Sequence, residues 1–150
     1  MKLVGLSALA VWVAALWWGA LTAVGFGVVP ILFAHLPTPA IAGAMAAKLF
    51  SALTWLAVVC GVLLLINLRS NQLLAQENSA QDALLFIALG MLLALLSEFA
   101  VAPRIIARQD LPLWHSVGTL LYVLHWLCAG VTFKKLIARR QRTPAGEVAA

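Results

Sequence analysis

The stretch from Leu3 to Ala34 reads LVGLSALAVWVAALWWGALTAVGFGVVPILFA, 32 residues without one charged side chain. An α-helix rises about 1.5 Å per residue and the hydrocarbon core of a bilayer is about 30 Å thick, so roughly 20 such residues cross it. The stretch also exceeds the roughly 7–15 apolar residues of a secretory signal region, although Lys2 precedes it. It therefore reads as a retained membrane helix, roughly Leu3 to Phe33. Three further stretches pass the same test: Ala40 to Leu68, Asp82 to Ile106 and Pro112 to Leu136.

Composition points the same way. Of 150 residues, 64% are hydrophobic and 10% charged, with a mean hydropathy of +1.02. Soluble domains run at about 45–50% apolar and about 25% charged. Lipid offers backbone N–H and C=O groups no partner, so spanning elements are helices or closed barrels, and long apolar runs without alternation exclude the barrel. The expected fold class is all-α, a four-helix transmembrane bundle. His35 to Pro39 and Arg108 to Pro112 are tight turns, whereas Arg69 to Gln81 is the longer polar connection. Short connections make antiparallel neighbours, which gives two helical hairpins. Residues 1–138 form the expected transmembrane domain, and 139–150, opening on Arg139, Arg140 and Arg142, a basic and disordered cytoplasmic tail.

Four crossings put both termini and the middle connection on one side. That side collects Lys2, Arg69, Lys134, Lys135, Arg139, Arg140 and Arg142, against Lys48, Arg104 and Arg108 on the other. The positive-inside rule then places the termini in the cytoplasm, and the basic tail is expected to attract anionic lipid headgroups. The net charge of +5 needs no nucleic acid, because the cations flank apolar runs rather than form a stripe with interleaved aromatics. Cys60 and Cys128 lie inside apolar segments, which gives neither a disulfide framework nor a CxxC motif.

Few residues carry chemistry. Glu98 sits within the third helix, about 9 Å of helical rise from Arg104, and Lys48 lies about 12 Å into the second helix. An intramembrane charge is expected to face the bundle interior with a partner. Two readings follow: an ion pair of Glu98 with Lys48 or Arg104, or a proton or cation site in an outward cleft with Arg104, Arg108, Asp110 and His115 at its mouth. Cys60, Met91, His125 and Cys128 fall at a similar depth, about 9–14 Å from the cytoplasmic ends. Thiolate, thioether and imidazole together suit a soft ion such as Cu(I), while Cys and Met are also ordinary core residues. His35, His115 and His125 are the available axial ligands for haem. No cofactor is expected, with Cu(I) and haem as the alternatives. Gly19, Ala23 and Gly27, and Gly43, Ala47 and Ser51, recur every fourth residue and read as a packing seam inside the monomer or as a homodimer seam. Pro30, after Gly25 and Gly27, is expected to kink the first helix. The chain has no GxSxG, HExxH, P-loop or paired carboxylates, which points away from nucleotide-driven work and from an enzyme.

Trp18-Gly19-Ala20-Leu21, Val29-Pro30-Ile31-Leu32-Phe33, Ala42-Gly43 and Lys48-Leu49-Phe50, followed by Ala102-Pro103-Arg104 and Leu113-Trp114-His115, stand in the order of a known family. Over roughly Trp17 to Phe133 the chain resembles the transmembrane-protein-205-like family, also labelled domain of unknown function 4149. It departs from that pattern at Gly118, where the family places a Ser three positions after the His. The resemblance implies a four-helix bundle of undefined activity, and its look-alikes are copper resistance protein D and the four-helix bacterial protoporphyrinogen oxidases. The expected function is a multi-pass bacterial inner-membrane protein that binds or passes a small solute, ion or lipid, or supports a membrane-protein partner. The alternative is a membrane oxidoreductase or a haem- or copper-handling protein.

Overall fold

The apolar runs become four long rods because a helix satisfies its own backbone where lipid cannot. The computed structural model describes the backbone of residues 2–72 and 79–142, with the side chains of 8–69 and 83–141. The first span joins α1 (Lys2–Ala23), a π-helical segment (Val24–Val28) and α2 (Val29–His35). The second is α3 (Pro39–Gln72). The third joins α4 (Ser79–Leu96), a second π segment (Ser97–Val101) and α5 (Ala102–Ile106), and the fourth is α6 (Leu111–Arg142). The stretches long and apolar enough to cross a membrane are Ala8–His35, Pro39–Arg69, Ala83–Ile106 and Leu111–Gln141, which match the four expected crossings.

One boundary moves. The tail was expected to begin at Arg139, but α6 runs through Arg139, Arg140 and Gln141 to Arg142. Arg and Gln are good helix formers, and cations at a helix C-terminus meet the negative end of its dipole. The rest of the expected tail, and Glu77 in the middle connection, lie outside the described residues.

Both tight turns are built from local chemistry. Leu36 is extended ahead of Pro37, and Thr38 caps α3, its Oγ1 accepting the Ile41 N–H at 3.3 Å. After α5, Gln109 N–H returns to the Arg104 carbonyl and Arg108 N–H to the Ile105 carbonyl, both at 3.0 Å. This is a Schellman ending in which Arg108, at φ 54°, holds the left-handed place that glycine usually takes.

The spans pack as a square in chain order, each against its two neighbours, while the diagonal pairs come close at almost no point. Trp17, Leu21, Leu64, Ile87 and Thr132 are fully buried. Two aromatic contacts cross the square. The Trp17 ring reaches from the first span to Gly90 on the third, where an added Cβ would lie 2.9 Å from it. Phe50 of the second span meets Tyr122 of the fourth edge-on, with centroids 5.3 Å apart. Trp12, Ile66, Phe99 and Ile106 point outward, where lipid covers them.

The glycines of the expected small-residue seam make no close approach inside the monomer. A Cβ added to Gly19, Gly27 or Gly43 would meet nothing within 4 Å, whereas the close approaches fall at Gly25, Gly61, Gly90 and Gly130. In lipid the inner and outer faces of a helix are both apolar, so the period of small residues does not identify the inner one.

The two hairpins share one construction. The π segments, Pro30 and Pro103, and Pro39 and Pro112 each recur 73 positions apart. In each bulge the ladder steps to i→i+5, Val29 N–H reaching the Val24 carbonyl and Ala102 N–H the Ser97 carbonyl. In the first bulge Tyr122 inserts into the ladder. Its hydroxyl donates to the Leu21 carbonyl at 2.6 Å and meets the Gly25 N–H, standing where the bond between those two groups would otherwise run. A Cβ on Gly25 would come within 2.4 Å of that ring, so only glycine admits it. A side chain inserted into the ladder is an established cause of such a bend.

Candidate functional site

Most hydroxyls in the spans fold back on their own helix. Thr22, Ser97, Ser116, Thr119 and Thr132 each donate to the carbonyl four residues earlier, at 2.8–2.9 Å. Ser51 and Thr54, one turn apart on α3, instead reach across to the third span. Thr54 Oγ1 lies 3.5 Å from the Ala94 carbonyl, and Ser51 Oγ lies 2.7 Å from Glu98 Oε1 and 3.0 Å from Oε2. Glu98 is half-buried and is the second residue of the π segment Ser97–Val101. The 73-residue spacing makes it the counterpart of Gly25, so one bulge is closed by Tyr122 and the other carries a carboxylate.

A hydroxyl supplies one hydrogen, whereas an ionised carboxylate has about four acceptor positions. Ser51 therefore leaves most of the capacity of Glu98 unused. The expected ion pair is not formed: among the described residues no Lys or Arg is paired with Glu98. Arg104 turns back, Nη1 donating to the Ala100 carbonyl and Cζ resting 4.5 Å from the centroid of the Trp114 ring. Lys48 is exposed on α3. Arg108 and Asp110 are exposed in the turn, and His115 lines a shallow open depression on α6 with Ser116, Thr119, Leu120 and Val123.

The second polar centre lies deeper toward the termini. Trp17 Nε1–H donates to His125 Nε2 at 3.0 Å, with Trp17 fully buried and His125 4% exposed. The accepting nitrogen is unprotonated, so this imidazole is neutral with its hydrogen on Nδ1. Next to the pair, Trp18 packs between Trp126 and Phe133, at 5.9 and 5.7 Å between centroids. Trp126 Nε1 donates to Thr22 Oγ1 at 2.8 Å, while buried Trp18 Nε1 has no acceptor among the described residues and faces Gly130.

The four residues at matching depth all pack within the bundle. The Met91 sulfur rests over Gly61, where an added Cβ would meet it at 2.3 Å. Cys128 faces Gly90, and His125 gives its Nε2 to Trp17. Cys60 and Cys128 are buried free thiols, and among the described residues no three His, Cys, Asp or Glu side chains are placed to hold a metal. His35 Nδ1 lies 3.0 Å from the Ile31 carbonyl at the exposed end of α2, far from His125 along the first span.

Ser51, Tyr122 and Trp17 were not singled out as site residues. For Ser51 a signal existed: two hydroxyls on one face of an apolar helix, Ser51 and Thr54, mark a polar contact across helices. Tyr122 and Trp17 gain their roles from partners about a hundred residues away, which no local pattern reveals.

A family model described as a domain of unknown function (DUF4149) matches residues 12–111, which include Trp17, Ser51, Glu98 and Arg104 but not Tyr122 or His125. No curated protein and no solved structure matches the chain.

Proposed function

The chain belongs to the DUF4149 family, whose activity is undefined, and from that premise we propose that it is a non-enzymatic membrane protein that takes up and releases a proton at Glu98. One observation carries the reading. A carboxylate inside a membrane span, with one neutral hydroxyl as its partner and no countercharge among the described residues, reaches electrical balance by taking a proton or a cation. The proton is the better fit. Two carboxylate oxygens and one hydroxyl oxygen fall well short of the roughly six ligands that hard cations such as Ca²⁺ and Mg²⁺ gather. A cofactor-handling oxidoreductase would draw on converging ligand atoms, and the His125 nitrogen that would serve is bonded to Trp17 instead.

The same proposal places the chain in the bacterial inner membrane with its turns at Leu36–Thr38 and Ala107–Asp110 facing outward, and groups it with the transmembrane-protein-205-like proteins. Support comes from the seven-to-three bias of Lys and Arg and from the order of the Trp-Gly, Pro-x-Leu-Phe and Leu-Trp-His elements.

Dicyclohexylcarbodiimide, which adds to protonated carboxyl groups in apolar surroundings, tests the reading. In proteoliposomes the label should appear at Glu98 by mass spectrometry, decline as the pH is raised, and vanish in Glu98→Gln. Suppression by Na⁺ or K⁺ at fixed pH would replace the proton with a cation. Absence of label at every pH would sink the proposal.

A further inference from the structure

We infer that Trp17 and His125 form a proton-operated latch that closes the bundle on the termini side of Glu98, an inference that rests on Glu98 being a proton site. The latch has three parts. Trp17 Nε1–H donates to His125 Nε2, and an indole N–H can only donate. A proton arriving on Nε2 removes the sole acceptor of this bond and sets two donors face to face, so the bond is lost. The ring so released is the one that fills the axis of the square and rests on Gly90 across it. Protonation of one buried nitrogen thus acts on the side chain that fills the bundle between its halves.

Among the described residues the surroundings supply no fixed charge to oppose or mimic this event. The first span contributes Trp17 and no titratable side chain at this level, and the second contributes Cys60 and Thr54. The third contributes Gly90, with Glu98 two turns nearer the turns, and α6 itself contributes Tyr122 and Cys128. The carboxylate among these groups is Glu98, and His125 lies on the next helix, on the termini side of it. Chains of Glu and His inside membranes are the elements of proton relays. A proton passing inward from Glu98 reaches His125, and its arrival loosens the ring that bars the way. Unprotonated His125 re-forms the bond and the axis closes.

The native protein and four variants, Trp17→Phe, His125→Gln, Glu98→Gln and Trp17→Phe/Glu98→Gln, are compared in vesicles holding a pH-sensitive dye. Circular dichroism checks that each is helical. A protonated imidazole quenches a neighbouring indole, so native tryptophan emission should fall in one step as the pH is lowered. The step should persist in Glu98→Gln and be absent in Trp17→Phe, whose ring is shorter and cannot bond, and in His125→Gln, whose amide oxygen accepts the indole N–H at every pH. Proton flux should rise about tenfold in Trp17→Phe, the equivalent of one hydrogen bond, and should fall to background in His125→Gln. The double variant should lose the gain. No emission step in the native protein, or unchanged flux in Trp17→Phe, overturns the latch. An emission step together with a flux gain that survives Glu98→Gln leaves the latch standing and removes Glu98 from the path.

Discussion

Single residues separate close contact from consequence. A Cβ on Gly61 would come within 2.3 Å of the Met91 sulfur, nearer than the 2.9 Å between a Cβ on Gly90 and the Trp17 ring. The nearer clash is the milder one, because a thioether swings aside on three rotatable bonds while Trp17 is held by His125. Gly90→Ala should destabilise by about 1–3 kcal/mol, the usual cost of overpacking, and Gly61→Ala by under about 1 kcal/mol. Thermal unfolding in detergent micelles measures both, and the reverse order would mean that the indole is free to move. The same contrast marks what the sequence could tell. The depth of Glu98 was legible, because an acid in an apolar run is conspicuous. Its partner was not. Arg104 was the obvious cation, yet it turns to the Ala100 carbonyl and the Trp114 ring, because a backbone carbonyl and an aromatic face lie within its reach.

At the scale of elements, the existence of each helix followed from length and hydropathy, while the π segments had no local mark beyond the prolines after them. The kink expected at Pro30 belongs to a bulge entered by Tyr122, 97 residues from Gly25. Tyr122→Phe keeps the ring and leaves the Leu21 carbonyl without that donor. The change should cost about 1–2 kcal/mol, near the upper end for hydrogen bonds between helices in lipid. Hydrogen–deuterium exchange should quicken at residues 25–29 in this variant and stay unchanged across the second bulge. Equal exchange in both bulges would show that the proline alone sets the first one. The second bulge owes nothing to Tyr122, and Glu98 occupies the position that Gly25 holds in the first.

For the whole molecule, four crossings and two hairpins were readable because lipid thickness sets helix length. The arrangement of faces was not, since no contrast of polarity separates inside from outside, and the stripe of Gly19, Ala23 and Gly27 looks outward. Orientation is tested by single cysteines in a chain with Cys60 and Cys128 replaced. A membrane-impermeant thiol reagent added outside the cell should label Asp110→Cys and spare Arg140→Cys, and the opposite pattern would invert the protein in the membrane. The square arrangement has a mechanical side as well. Four rods joined only along their edges can shear into a rhombus at little cost, since each edge acts as a hinge. Here one diagonal is braced by Trp17 against Gly90 and the other by Phe50 against Tyr122, at two different depths. Shear of the cross-section shortens one diagonal as it lengthens the other, so either brace resists it. Removing the brace at one depth leaves that half of the frame free to deform while the other half stays square.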